Sequence, residues 1–123
     1  LKNNLTLYEP EFRRNYIHIR DIINTFIFAI ENFSLVKNNI FNVGLSSANL
    51  TKIDLCKKIK KYIPEFNFEV SKSGTDPDKR DYFVSNKKIE ALGWLPKISL
   101  DNGILELIKS YKIMSPEDFD KNI

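Results

Sequence analysis

Apolar residues recur at three- and four-residue spacing through Ile22, Ile23, Phe26, Ile27, Ile30 and Phe33, which predicts an amphipathic helix from about Asp21. Asp21 suits a cap at its start, where a carboxylate meets free backbone amides. Just before it, Tyr16 to Ile19 reads as a short strand, with Tyr16 and His18 on one face and Ile17 and Ile19 on the other. Ser34 to Asn39 reads as a loop and Ile40 to Val43 as a second strand ended by Gly44. Thr51, with Asp54 three residues on, opens a helix whose inner stripe is Ile53, Cys56, Ile59 and Tyr62 or Ile63, and Pro64 stops it. Asn67 to Val70 is a third strand, with Phe68 and Val70 on one face. Tyr82 to Val84 pairs briefly as a strand. Ser85 caps a helix to Leu92 that Gly93 ends, and Ser99 caps another with Leu100, Ile104, Leu107, Ile108 and Tyr111 inward. Ser115-Pro116-Glu117-Asp118 starts a last short helix. Residues 1 to 10 carry little pattern, and Ser71 to Lys79 is the longest polar, breaker-rich loop in the body of the chain.

Strands that alternate with helices argue for α/β packing. Here they are few and short, so the expectation is a small mixed α/β subdomain, not a complete doubly wound sheet. At 123 residues and 42% hydrophobic content the chain is one soluble domain or a piece of one, 1–123, and its first residue, Leu1, reads as that of a fragment. It has no apolar run long enough for a membrane. The net charge of +3 is too small to argue for nucleic acid, and Lys57, Lys58, Lys60 and Lys61 read as a solvated helix face. Cys56 has no disulfide partner and reads as a small core residue; a cytoplasmic address is the default.

Several catalytic devices are missing. Gly44, Gly74, Gly93 and Gly103 are too far apart for a dinucleotide loop or a P-loop. A single histidine, His18, rules out a two-histidine zinc motif and reads as a packed or hydrogen-bonded strand residue. There is no Gly-x-Ser-x-Gly, and no tyrosine has a lysine four residues downstream. No catalytic or metal-binding residue is therefore assigned. What the chain does have is two places where an arginine precedes an aromatic residue: Arg14 with Tyr16, and Arg80 with Tyr82. Guanidinium donors match phosphate oxygens in pairs, and a tyrosine can stack or donate a hydroxyl. The arrangement suits a phosphorylated, ring-bearing small molecule.

The stretch Arg14-Asn15-Tyr16-Ile17-His18-Ile19-Arg20-Asp21 resembles the Arg-Asp-Tyr-Ile-His-Val-x-Asp-Val motif of extended short-chain dehydrogenases, the NAD-dependent nucleotide-sugar epimerase/dehydratase family. Phe41-Asn42-Val43-Gly44 is similar to that family's Tyr-Asn-Val-Gly strand, and Thr51 to Leu55 to its Thr-Ile-x-Glu-Leu helix start. Ser85 to Pro96, with Leu92-Gly93-Trp94-Leu95-Pro96, resembles its Asp-x-Ser-Lys-x-x-x-x-Leu-Gly-Trp-x-Pro segment, and Ser99 to Ile104 its Ser-Leu-Glu-Glu-Gly-Ile helix. The ordered segments cover about residues 12 to 112. Asn15 departs from the usual aspartate, and no arginine lies near Gly74, where several members carry one.

The resemblance implies the carboxy-terminal, substrate-binding part of such an enzyme, without its Rossmann domain. NAD or NADP and the chemistry would belong to the parent's missing half, and none would be bound by this piece alone. The expected partners are a nucleotide-sugar substrate and that half, with a homodimer known for many parents and with neither nucleic acid nor membrane. Substrate contacts are expected from Arg14, Tyr16, Asn42, Arg80 and Tyr82, with Arg80 on the diphosphate. The rival reading is a stand-alone, non-catalytic binding module for an anionic ligand or partner protein.

Overall fold

The computed structural model describes residues 4–114, so the expected helix at 115–118 lies outside the described residues. Among the described residues the architecture is mixed α/β with two separate two-stranded sheets. Strand β1 (Asn4–Leu7) pairs in parallel with β4 (Asn67–Val70), placing Asn4 opposite Asn67 and Leu7 opposite Val70. Strand β2 (Arg13–Asn15) pairs antiparallel with β3 (Asn49–Thr51), with Arg14 opposite Leu50. The helices are α1 (Ile19–Glu31), the single turn α2 (Phe33–Val36), α3 (Lys52–Tyr62), the single turn α4 (Lys87–Glu90) and α5 (Leu100–Ile113). Among the described residues the buried apolar side chains are few: Leu7, Ala48, Cys56, Ile89, Trp94 and Ile104.

The caps with two-way chemistry form where the sequence places them. Thr51 Oγ1 accepts from the Asp54 amide while Asp54 accepts from the Thr51 amide, a complete capping box. Ser99 accepts from the Asn102 amide, and Gly93 takes a positive φ of 93° after α4.

Other expectations shift. The strand expected at 16–19 lies at Arg13–Asn15, because the partner Asn49–Thr51 stops there; only the Tyr16 amide continues, donating to Ala48 O at 3.1 Å. His18 ends the extended stretch as the cap of α1, its Nδ1 accepting from the Arg20 amide at 3.1 Å. Asp21 is then a buried first-turn residue and not the cap. Its two carboxylate oxygens accept from the amides of Lys97 and Ile98, each at 3.0 Å, which ties α1 to the entry of α5. Residues 33–36 form a helical turn where a loop was expected. Lone strand patterns at 40–43 and 82–84 find no strand partner among the described residues, and β1 arises from a segment with little pattern of its own. Asn86, not Ser85, precedes α4, and that helix is shortened to one turn.

Two asparagine side chains stand in for missing strand pairs. Asn49 donates to Val84 O at 3.0 Å and accepts from its amide at 2.9 Å. Asn15 does the same with Leu45, at 2.9 Å each way. The amide needs both a donor and an acceptor for this, so the aspartate of the family motif could make only half of the pair. A Cβ on Gly44 would lie 2.4 Å from Asn15 Oδ1 and 2.8 Å from its Cγ. Gly44→Ala is therefore expected to push the Asn15 amide off Leu45 and to cost about 1–3 kcal/mol, read from urea midpoints.

Candidate functional site

Strand β2 carries two consecutive arginines, and both reach the loop at 76–82, more than sixty residues away. Arg13 binds Asp81 three times, through its backbone amide (2.8 Å), Nε (3.0 Å) and Nη2 (3.0 Å). Arg14, with only 15% of its side chain exposed, turns the other way. Its Nη1 donates to Arg80 O and to Arg13 O (2.8 Å); its Nη2 donates to Asp78 O (2.9 Å) and pairs with Asp78 Oδ2 at 3.0 Å. Its guanidinium also lies over the Tyr82 ring, 5.3 Å from the centroid. The loop is further held by a Lys52–Asp76 ion pair and by Glu9, which accepts from the Asp76 amide at 2.9 Å.

Arg80 is the outward member. Its side chain is 76% exposed, and Nε and Nη2 each meet one oxygen of Asp78 at 2.7 Å. Tyr82 is 40% exposed beside it. Tyr16 is half-buried, and burial raises its phenol pKa against the opposing pull of Arg14. It lines an open apolar groove of about 510 Å³ together with Ile17, Leu55, Ile59, Leu100 and Ile104. Four of the five expected residues thus gather on the β2 side of the molecule: Arg14, Arg80 and Tyr82 in direct contact, with Tyr16 close to Arg14. Asn42 does not join them; it lies exposed on the 40–43 segment, three residues before Leu45, whose backbone pairs with the Asn15 side chain of β2. Arg13, Asp78 and Asp81 were missed. The bracketing of Arg80 by two aspartates in Asp78-Lys79-Arg80-Asp81 was the signal available.

The charges set a pH window. Hydrogen bonds from Arg13 hold the Asp81 carboxyl down at about 2, and Arg80 holds that of Asp78 well below the usual carboxylate range. Carboxylates depressed on folding contribute stability above their unfolded values, and that contribution is lost as pH falls. The loop tethers are therefore expected to be intact above about pH 4 and to release as the pH drops toward 2. Carboxyl NMR shifts for Asp81 should show a midpoint near 2, well under that of an unpaired aspartate.

No family model matches the chain. It is 28% identical over 96 residues to the CDP-paratose 2-epimerase of Salmonella typhi, covering 76% of this chain and 28% of that protein. It is 32% identical over 110 residues to the dTDP-4-dehydro-6-deoxyglucose reductase of Escherichia coli, covering 83% of this chain and 32% of that one. The chain is a relative of the nucleotide-sugar epimerases, dehydratases and reductases of the extended short-chain dehydrogenase/reductase family. The fold agrees: TunA, an NAD-dependent NDP-hexosamine 5,6-dehydratase, superposes with a TM-score of 0.71 over 95% of this chain and 38% of its own, at 14% identity. The chain spans about a third of the length of these relatives. Among the described residues no helix is long and apolar enough to cross a membrane, and no cluster of metal-ligating side chains occurs.

Proposed function

We propose that this chain is the carboxy-terminal, nucleotide-sugar-binding part of an NAD(P)-dependent epimerase, dehydratase or reductase, and that Arg80 and Tyr82 meet the nucleoside diphosphate. The observation that carries this is the convergence of the two arginine–aromatic pairs at one edge, with one guanidinium committed to the scaffold and the other exposed. Arg14 is a positioning residue in this reading: its donors hold the backbone from which Arg80 and Tyr82 project. Tyr16 and the neighbouring groove offer apolar surface next to the charged edge, suited to a sugar or base ring.

In this reading the dinucleotide and hydride transfer belong to other residues of a parent protein, which is supported by the wide separation of Gly44, Gly74, Gly93 and Gly103: a pyrophosphate-receiving turn needs closely spaced glycines. A surface is available for that part. On α1, Ile23, Phe26, Ile27 and Ile30 are all exposed, with Phe26 68% and Ile30 77%. An apolar stripe of that extent marks a contact face. Since relatives are about three times as long, the occupant proposed is their remaining, cofactor-binding portion. Phe26→Glu with Ile30→Glu should leave the melting temperature of the isolated chain unchanged and reduce its binding of an apolar dye. A drop of more than about 5 °C would mean that the stripe already packs within this chain.

The binding reading is tested by calorimetric titration of UDP, dTDP, GDP and CDP. Binding of at least one, weakened more than tenfold by Arg80→Ala, is the expected result. Equal affinity in the variant would remove Arg80 from the site.

A further inference from the structure

We propose that Asp78 is a built-in stand-in for the ligand's phosphate: it parks Arg80 in the free protein and must surrender it when an anion binds. This rests on the reading of Arg80 as the anion grip. The Asp78 carboxylate gathers four donors: the Arg80 backbone amide (3.2 Å), Arg80 Nε and Nη2 (2.7 Å each) and Arg14 Nη2 (3.0 Å). Two parallel N–H···O bonds from Nε and Nη2 are the fork geometry with which guanidinium also takes phosphate. An anion cannot use that edge of Arg80 while Asp78 occupies it, and the carboxylate adds repulsion at close range.

The two arginines differ in how they hold Asp78, and this makes exchange feasible. Arg14 is largely covered and also binds the main-chain carbonyls of Asp78 and Arg80, so it stays in place. The Arg80 guanidinium bonds to a residue only two positions away and is mostly in water, where an ion pair contributes little and breaks easily. Asp78 is itself anchored: its amide donates to Asp76 Oδ1 at 2.9 Å. When Arg80 swings out, the Asp78 carboxylate keeps its bond to Arg14, and the loop keeps its shape. Asp78 thus acts as a selectivity device. Weak singly charged anions do not displace it, whereas a multiply charged diphosphate does.

The test is titration of inorganic pyrophosphate into the wild-type chain, Asp78→Asn, Arg80→Ala and the double variant. Asparagine retains an acceptor for the Arg80 amide and leaves both main-chain bonds from Arg14 intact. Asp78→Asn is expected to bind pyrophosphate about five- to tenfold more tightly and to gain still more for chloride or acetate, lowering selectivity. The gain should vanish in the Arg80→Ala background. Amide exchange at residues 78–82 checks that the loop survives, and Asp78→Ser serves as a second probe should the asparagine disturb it. Arg80→Ala weakening binding while both Asp78 variants match or fall below wild type would overturn the parking role and leave the grip standing. Undiminished binding in Arg80→Ala, or none by wild type at millimolar pyrophosphate, would overturn both.

Discussion

Asp21→Ala is expected to lower stability by about 3–5 kcal/mol, since removing a buried carboxylate leaves two backbone amides without their acceptors. Asp21 is 1% exposed, and its two oxygens serve the amides of Lys97 and Ile98, which then point at nothing. A domain of this size holds about 5–15 kcal/mol in all, so the variant should melt about 12–30 °C lower or fail to fold at 37 °C. Asp21→Asn should fall between: one oxygen survives, but the new amide group sets a donor against a donor. Urea denaturation measures the loss, and hydrogen exchange at Lys97 and Ile98 localises it. If both amides keep their protection in Asp21→Ala, the carboxylate is not what joins α1 to the α5 entry.

Arg14→Ala should have the second largest effect, of a different kind. Four bonds and a ring contact leave together, three of those bonds from the 78–82 loop. The expected loss of stability is about 2 kcal/mol. Nucleoside diphosphate binding should fall more than tenfold, although the Arg14 side chain is largely covered and both its Nη groups are already bonded to the scaffold. Lysine has one compact cation with no planar fork, so Arg14→Lys should not restore the loop. Comparing the variants by amide exchange at residues 78–82 separates positioning from contact. A variant with an ordered loop and weakened binding would instead make Arg14 a direct ligand group.

Elements specified by their own neighbours were legible in the chain. The Thr51–Asp54 box, the Ser99 cap, the stop at Gly93 and β4 each depend on contacts within a few residues, or on a period that side chains impose locally. The ordered family segments pointed to the same relatives that the comparisons found. Position-by-position patterning was weaker where the partner lies elsewhere. Thus β1 has little pattern of its own and is aligned by Asn67–Val70, and the strand patterns at 40–43 and 82–84 lack a ladder among the described residues.

By itself the sequence determined the main helices, most of their caps and the two arginine–aromatic pairs, because those follow from spacing and from side-chain chemistry next to the backbone. Only the tertiary structure decided that Arg14 faces the loop while Arg80 faces water, that Asn15 and Asn49 replace strand pairs, and that Asp21 bonds across to Lys97 and Ile98. Each of those joins groups about 30 to 80 residues apart, and the direction in which a donor points is set only once both segments are in place.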